Sequence, residues 1–203
     1  MTNRLRPGQS IVIDRLASEL GVSHTPVREA LATLAYDGLV KMRPYGNPRV
    51  ARIDASDVRE VWEMRLLLEG WAVSKSVLAL SEEALDKIER SLEDARRDAL
   101  QSRYDTHLKS DIEMHRAIMQ STEHRLYLHL ARQVEDRSIR IRSLVEAVGS
   151  ERDVLTIIDE HCAILEALRA RDPELVQRRL ISHLEAGMRR TLTALERITV
   201  DEE

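Results

Sequence analysis

Apolar residues recur at helical spacing twice within the first forty positions. Ile13, Leu16, Ala17 and Leu20 share one face of a short segment that Gly21 ends, since glycine accepts the left-handed conformation of a tight stop. Thr25 reads as an N-cap with Pro26 at the first helical position. The second helix then buries Val27, Ala30, Leu31 and Leu34 and stops near Gly38. Two short helices joined by about four residues that include a glycine make a helix-turn-helix. The short extended runs LVKM and PRVARI follow, on either side of Arg43-Pro44-Tyr45-Gly46-Asn47, a turn-forming stretch. This predicts a hairpin, and a helix-turn-helix followed by a basic hairpin is a winged helix-turn-helix.

From Ser56 onward the pattern contains no convincing strand. Val58, Val61, Trp62, Arg65, Leu68 and Ala72 lie at helical spacing in a first helix over 57–80. Ser81 followed by Glu82 and Glu83 is an N-cap with acids in the first turn, opening a second helix to about 101. Further helices are predicted over 104–119, 123–148 and 151–170, with a break at Gly149-Ser150. Asp172-Pro173 is a cap with proline at the first position, opening the last helix to about 198. Six helices with short connections fold back repeatedly into an antiparallel bundle rather than a rod. The predicted fold class is mainly α, with two domains: 1–53, a winged helix-turn-helix, and 54–203, all helical.

Charge separates the same two parts. Residues 1–53 carry a net +4 and the remainder −8, an asymmetry expected of a nucleic-acid reader joined to another module. The 203 residues include no Phe and one cysteine, Cys162, which excludes an internal disulfide and suits a reducing cytoplasm. The opening MTNRLRPGQS has no apolar core of a secretory signal, and no apolar run suits a membrane span.

In a winged helix the second helix enters the major groove by its N-terminal end. Ser23, His24, Thr25 and Arg28 then reach double-stranded DNA, with Arg28 the candidate for a bidentate guanine contact. The wing residues Arg43 and Arg49 would contact phosphate and make affinity salt-dependent. In the bundle, Asp111 and His115 are four apart and share a helix face. His161 and His183 lie 11 residues either side of the Asp172 turn. An antiparallel hairpin sets them level, roughly 16 Å from that turn. Helical bundles build internal metal sites from such facing positions. Three imidazoles and a carboxylate suit a divalent transition metal such as Zn, Ni, Mn or Fe. His107, four before Asp111, is a competing match; His124 and His129 read as surface residues.

The stretch RLRPGQSIVIDRLASELGVSHTPVREALATLAYDGLV resembles the DNA-binding domain of the GntR family of bacterial regulators. The resemblance implies operator contacts by Arg28 and the turn residues, with a glycine near the wing tip, here Gly46. Two departures stand out: the family usually has Arg where this chain has His24, and it has a further helix before the L-x-P-G stretch, where this chain begins with MTN. VWEMRLLLEGWAV, DIEMH and DEHCAILEALRARDPELVQRRLISHL resemble the FCD effector-binding domain of the FadR-type branch. That resemblance implies metal ligation by Asp111, His115, His161 and His183, with zinc first among the metals. It also implies a small carboxylate or hydroxy-acid effector paired with Arg65, Arg137, Arg140 and Arg142 being weaker candidates. A homodimer on a palindromic operator in the cytoplasm is implied as well, with effector binding altering the spacing of the recognition helices. Two other readings use the same residues: a metal-dependent enzyme, for which no general base stands out, and a sensor whose metal is itself the signal.

Overall fold

The computed structural model describes residues 5, 7–36, 38–145 and 151–200. The chain divides into two compact units, Met1–Asp54 and Ala55–Glu203.

The first unit contains α1 (Ile13–Leu20), α2 (His24–Tyr36), β1 (Val40–Lys41) and β2 (Arg49–Val50). Gly21 caps α1 at φ +67°, the left-handed conformation its lack of a Cβ permits. The strands pair antiparallel with Val40 opposite Val50. Residues 8–11 line the other edge of β2: the Val50 amide donates to the Gln9 carbonyl at 2.9 Å and the Ile11 amide to the Pro48 carbonyl at 2.8 Å. Ile11, Ala17, Val27, Leu31 and Val40 form the core. The start of α2 differs from expectation. It opens at His24, so Thr25 is inside the helix and Pro26 is its third residue. Proline is tolerated there because the amides of the first turn have no helical acceptor in any case. The buried stripe of α2 is Val27 and Leu31, with Ala35 packed against it, while Ala30 and Leu34 are exposed. The small layer of α1 and the hairpin covers one narrow face of α2, and residues three positions off that stripe fall outside it.

The described residues of the second unit form six helices: α3 (Ala55–Ala79), α4 (Glu82–Ala99), α5 (Asp105–Gln120), α6 (Arg125–Val145), α7 (Glu151–Arg169) and α8 (Pro173–Val200). Ser81 accepts from the Ala84 amide at 3.2 Å, and Asp172 accepts from the Leu175 amide at 3.0 Å. Both are N-caps that satisfy otherwise orphaned donors. The expected end of the fourth bundle helix and its Gly149-Ser150 break lie outside the described residues. α3 packs against α5, α6 and α8, while α4 packs on α5 and α7, and α7 on α8. Val58, Trp62, Ala72, Val73 and Val77 of α3 are buried, and so are Arg65 and Glu69. Two buried charges on a central helix require partners, because an unpaired charge in a low-dielectric interior is costly.

Candidate metal centre and nucleic-acid interface

Those partners lie around the two positions that helical spacing singled out. α5 presents Asp111 and His115 one turn apart, α7 presents His161, and α8 presents His183; all four are buried. One ligand atom from each lies within 4.8 Å of all the others. His183 Nε2 is 3.2 Å from both His115 Nε2 and His161 Nε2, and His115 Nε2 is 3.4 Å from Asp111 Oδ1. Nitrogen donors about 2.0–2.1 Å from a common zinc ion stand roughly 3.0–3.4 Å from one another, so the spacing fits a shared cation.

The far nitrogens strengthen that fit. His115 Nδ1 is 2.5 Å from Glu69 Oε2, and His183 Nδ1 is 2.7 Å from Glu160 Oε2. Burial opposes ionisation of Glu69, but Arg65 and His115 outweigh it and hold its carboxyl at about 2. Glu160, also opposed by burial, is held at about 2 by His183 and Arg190. An ionised carboxylate only accepts, so each Nδ1 carries a proton and donates it, which orients each ring with Nε2 inward. The two Nε2 atoms, 3.2 Å apart, are placed to share a cation. Burial pushes His161 well below the ordinary imidazole range, and a proton on nearby His183 would oppose one on His161 as well. Burial also lowers His183, against the hydrogen bond it donates to Glu160. Asp111 stays ionised despite its burial because Arg142, His115 and His161 hold it well below the usual carboxylate range. Its Oδ2 is paired with the Arg142 guanidinium, while buried Oδ1, on the side of the imidazoles, has no hydrogen-bond partner. Such an oxygen suits ligation.

Beside the cluster is a cavity of about 330 Å³. Asp111 and His183 form part of its wall, with Arg65, Arg142 and Arg190. Arg65 donates to Glu69 at 2.7 Å, and Arg190 makes two 2.7 Å bonds to Glu160. Of the expected effector contacts, Arg65 and Arg142 line this cavity. Arg137 and Arg140 do not: Arg137 is exposed and Arg140 half-buried. They lie five and two residues before Arg142, about 140° and 160° from it around α6, which turns them from the cavity. His107, the competing match, is outside the cluster; its Nδ1 is 2.8 Å from the Tyr104 carbonyl, although the residue lines the cavity. His124 and His129 are exposed. Glu113, between the two α5 ligands, accepts from Ser91 at 2.7 Å.

Residues 60–186 match the FCD domain family, and residues 1–47 match the bacterial regulatory proteins of the gntR family. The chain belongs to the GntR family, in the branch that carries an FCD domain. It is 28% identical over 179 residues to the HTH-type transcriptional regulator YdhC of Bacillus subtilis, covering 88% of this chain and 79% of that one. It is 24% identical to the HTH-type transcriptional repressor RspR of Escherichia coli, covering 89% and 78%. Among solved structures, E. coli McbR/YncC has the same fold, with a TM-score of 0.80 at 22% identity over 93% of this chain and 89% of that one. The Zn2+-bound FCD domain of TM0439 superposes with a TM-score of 0.58 at 25% identity, covering 71% of this chain and 98% of that one. The chain is thus a transcriptional regulator of the GntR/FCD type, and the proteins it matches are regulators, not enzymes.

As in other GntR regulators, the first unit is the DNA reader. Ser23, His24, Thr25 and Arg28 are exposed on the turn and first turns of α2. His24 Nε2 lies 3.3 Å from Asp14 on α1. Arg43 and Gly46 are exposed in the hairpin turn, and Arg49 on β2 donates to the Gly8 carbonyl at 3.1 Å. Among the described residues, no helix is long and apolar enough to cross a membrane.

Sequence reasoning missed Glu69, Glu160 and Arg190. Glu160 and Arg190 carry no motif. The one available signal was for Glu69: a carboxylate four residues after an inward-facing arginine on an otherwise apolar stripe.

Proposed function

We propose that this regulator holds a divalent transition metal, zinc first, through Asp111, His115, His161 and His183, and that an anionic effector taken beside it changes affinity for a palindromic operator. The observation that carries the reading is the inward-facing Nε2 pair of His115 and His183 at 3.2 Å, each ring fixed from behind by a carboxylate. The Zn2+-bound FCD domain of TM0439 supports it by likeness. When bound, such an ion supplies positive charge and an electrophilic site for an oxygen donor. Arg65, Arg142 and Arg190 are balanced by Glu69, Asp111 and Glu160, so the protein shell is near neutral and the metal's charge is left for an anion. Glu69 and Glu160 orient the imidazoles, and Arg142 leaves one Asp111 oxygen for ligation. The DNA contacts are assigned to Ser23, His24, Thr25 and Arg28 in the major groove, and to Arg43, Gly46 and Arg49 in the wing. The regulator acts as a homodimer, because two half-sites need two recognition helices, and effector binding resets their spacing.

The test is elemental analysis of the dialysed protein together with fluorescence anisotropy on DNA from upstream of its own gene. About one metal per chain in the native protein, and little in His161→Ala or His183→Ala, is the expected result. Undiminished metal in both variants overturns the site.

A further inference from the structure

The cavity is longer than a small hydroxy acid needs. Its α8 wall includes His183, Gly187, Thr191, Ala194 and Arg197, positions that recur on one face of the helix. From His183 to Arg197 that face runs about 21 Å. The volume of about 330 Å³ is roughly twice that of an apolar cavity that holds benzene.

Its lining changes along that length. At one end lie Asp111 and His183 of the metal cluster, with Arg142. The middle is apolar, walled by Trp62 of α3, Leu108 of α5, Val154 and Ile157 of α7 and Ala194 of α8. Gly187 belongs to that stretch: a Cβ there would stand 3.2 Å from the Trp62 indole nitrogen, so the glycine lets the indole close against α8. At the other end is Arg197, exposed and without an ion pair among the described residues. Among the described residues, Asp153 is the one carboxylate on the wall besides Asp111.

From this gradient we infer that the effector is an elongated dianion: an α,ω-dicarboxylic acid with an apolar middle, one carboxylate at the metal end and the other at Arg197. The 21 Å run, less the reach of Arg197 and of the metal end, suits roughly eight to twelve carbons. A short acid satisfies the inner end but leaves the apolar walls wet and Arg197 unpaired. A fatty acid of the same length fills the walls but not the outer charge. The inference rests on the reading that an anion is taken at the metal end.

Calorimetry on the zinc-loaded full-length protein separates the two ideas, with succinate, decanoate and decanedioate as probes. Decanedioate is expected to bind at least tenfold more tightly than succinate and more tightly than decanoate. Arg197→Ala should erase the margin over decanoate and leave succinate unchanged. Ile157→Trp should block both ten-carbon acids and spare succinate, which also shows that the variant is folded. Succinate binding as tightly as decanedioate, or a margin over decanoate that survives Arg197→Ala, overturns the elongated dianion while leaving the metal-end reading intact. No binding of any acid by a protein that retains its zinc overturns both.

Discussion

At the residue scale, the centre depends on groups behind the ligands as much as on the ligands. Glu69→Gln keeps the shape of the side chain but removes the charge that fixes the His115 proton. Zinc affinity, measured by competition with a chromophoric chelator, is expected to fall about 10- to 100-fold, as it does when such outer partners are lost elsewhere. Wild-type affinity in this variant would show that His115 is oriented by packing alone. The buried imidazoles also set a pH dependence. His161 and His183 are held neutral in the folded state, below the ordinary 6.5. As pH falls through that value the unfolded chain takes up protons that the folded chain does not. Stability of the metal-free protein should therefore decline from about pH 6.5 downward, with a slope of up to about 1.4 kcal/mol per pH unit for each histidine. Glu69 and Glu160, depressed to about 2, add a loss of the same sign below the ordinary carboxylate range. Urea midpoints at pH 7.5 and 5.5 measure it, and equal midpoints would contradict the burial of neutral rings. Asp111 and His115 were legible because the i, i+4 rule is local. Glu160 was not, since its spacing marks it as no partner of a ligand, and the i, i+4 relation of Glu69 to Arg65 says nothing of the His115 it meets across the bundle.

At the element scale, the turn between α7 and α8 sets the level at which His161 meets His183. The Asp172 cap starts α8, and Arg171 anchors the turn to the end of α3 through the Val77 and Leu80 carbonyls at 2.8 and 2.7 Å. Arg169 pins the preceding turn of α7 to Asp86 and Glu89 of α4 at 2.8 and 2.7 Å. Asp172→Ala is expected to cost about 1 kcal/mol, the usual worth of an N-cap. Chemical denaturation of the metal-free protein checks this, and no change would mean that Arg171 alone holds the turn. The caps at Ser81 and Asp172 were readable as sequence because a cap needs only the residues within one turn of it. The opening of α2 was misplaced by the same kind of reasoning. Thr25 and Pro26 form a plausible cap, yet the helix continues two residues further toward its N-terminus, and Pro26 imposes no boundary in a first turn whose amides lack helical acceptors.

At the scale of the whole molecule, regulation joins two units with different chemistry. Arg28→Ala should weaken operator binding by about 1–3 kcal/mol if Arg28 reads a guanine, while changing non-specific binding far less. Anisotropy with operator and scrambled DNA at two salt concentrations separates the cases. Equal losses on both would assign Arg28 to phosphate instead. The sequence by itself determined the order of the elements, the split into a basic head and an acidic helical body, and, once its resemblance to the FCD domain was added to the spacing, the four residues drawn together at the centre. These follow from periodicity, capping and spacing, which act over a few turns of one helix or across one hairpin. Only the tertiary structure decided which carboxylates stand behind the imidazoles, that Arg190 rather than Arg137 or Arg140 borders the cluster, and that the cavity extends to Arg197. Those outcomes depend on how α3, α6, α7 and α8 are rotated about their axes when they pack. A rotation of one residue, about 100°, exchanges a side chain that lines a cavity for one that faces water.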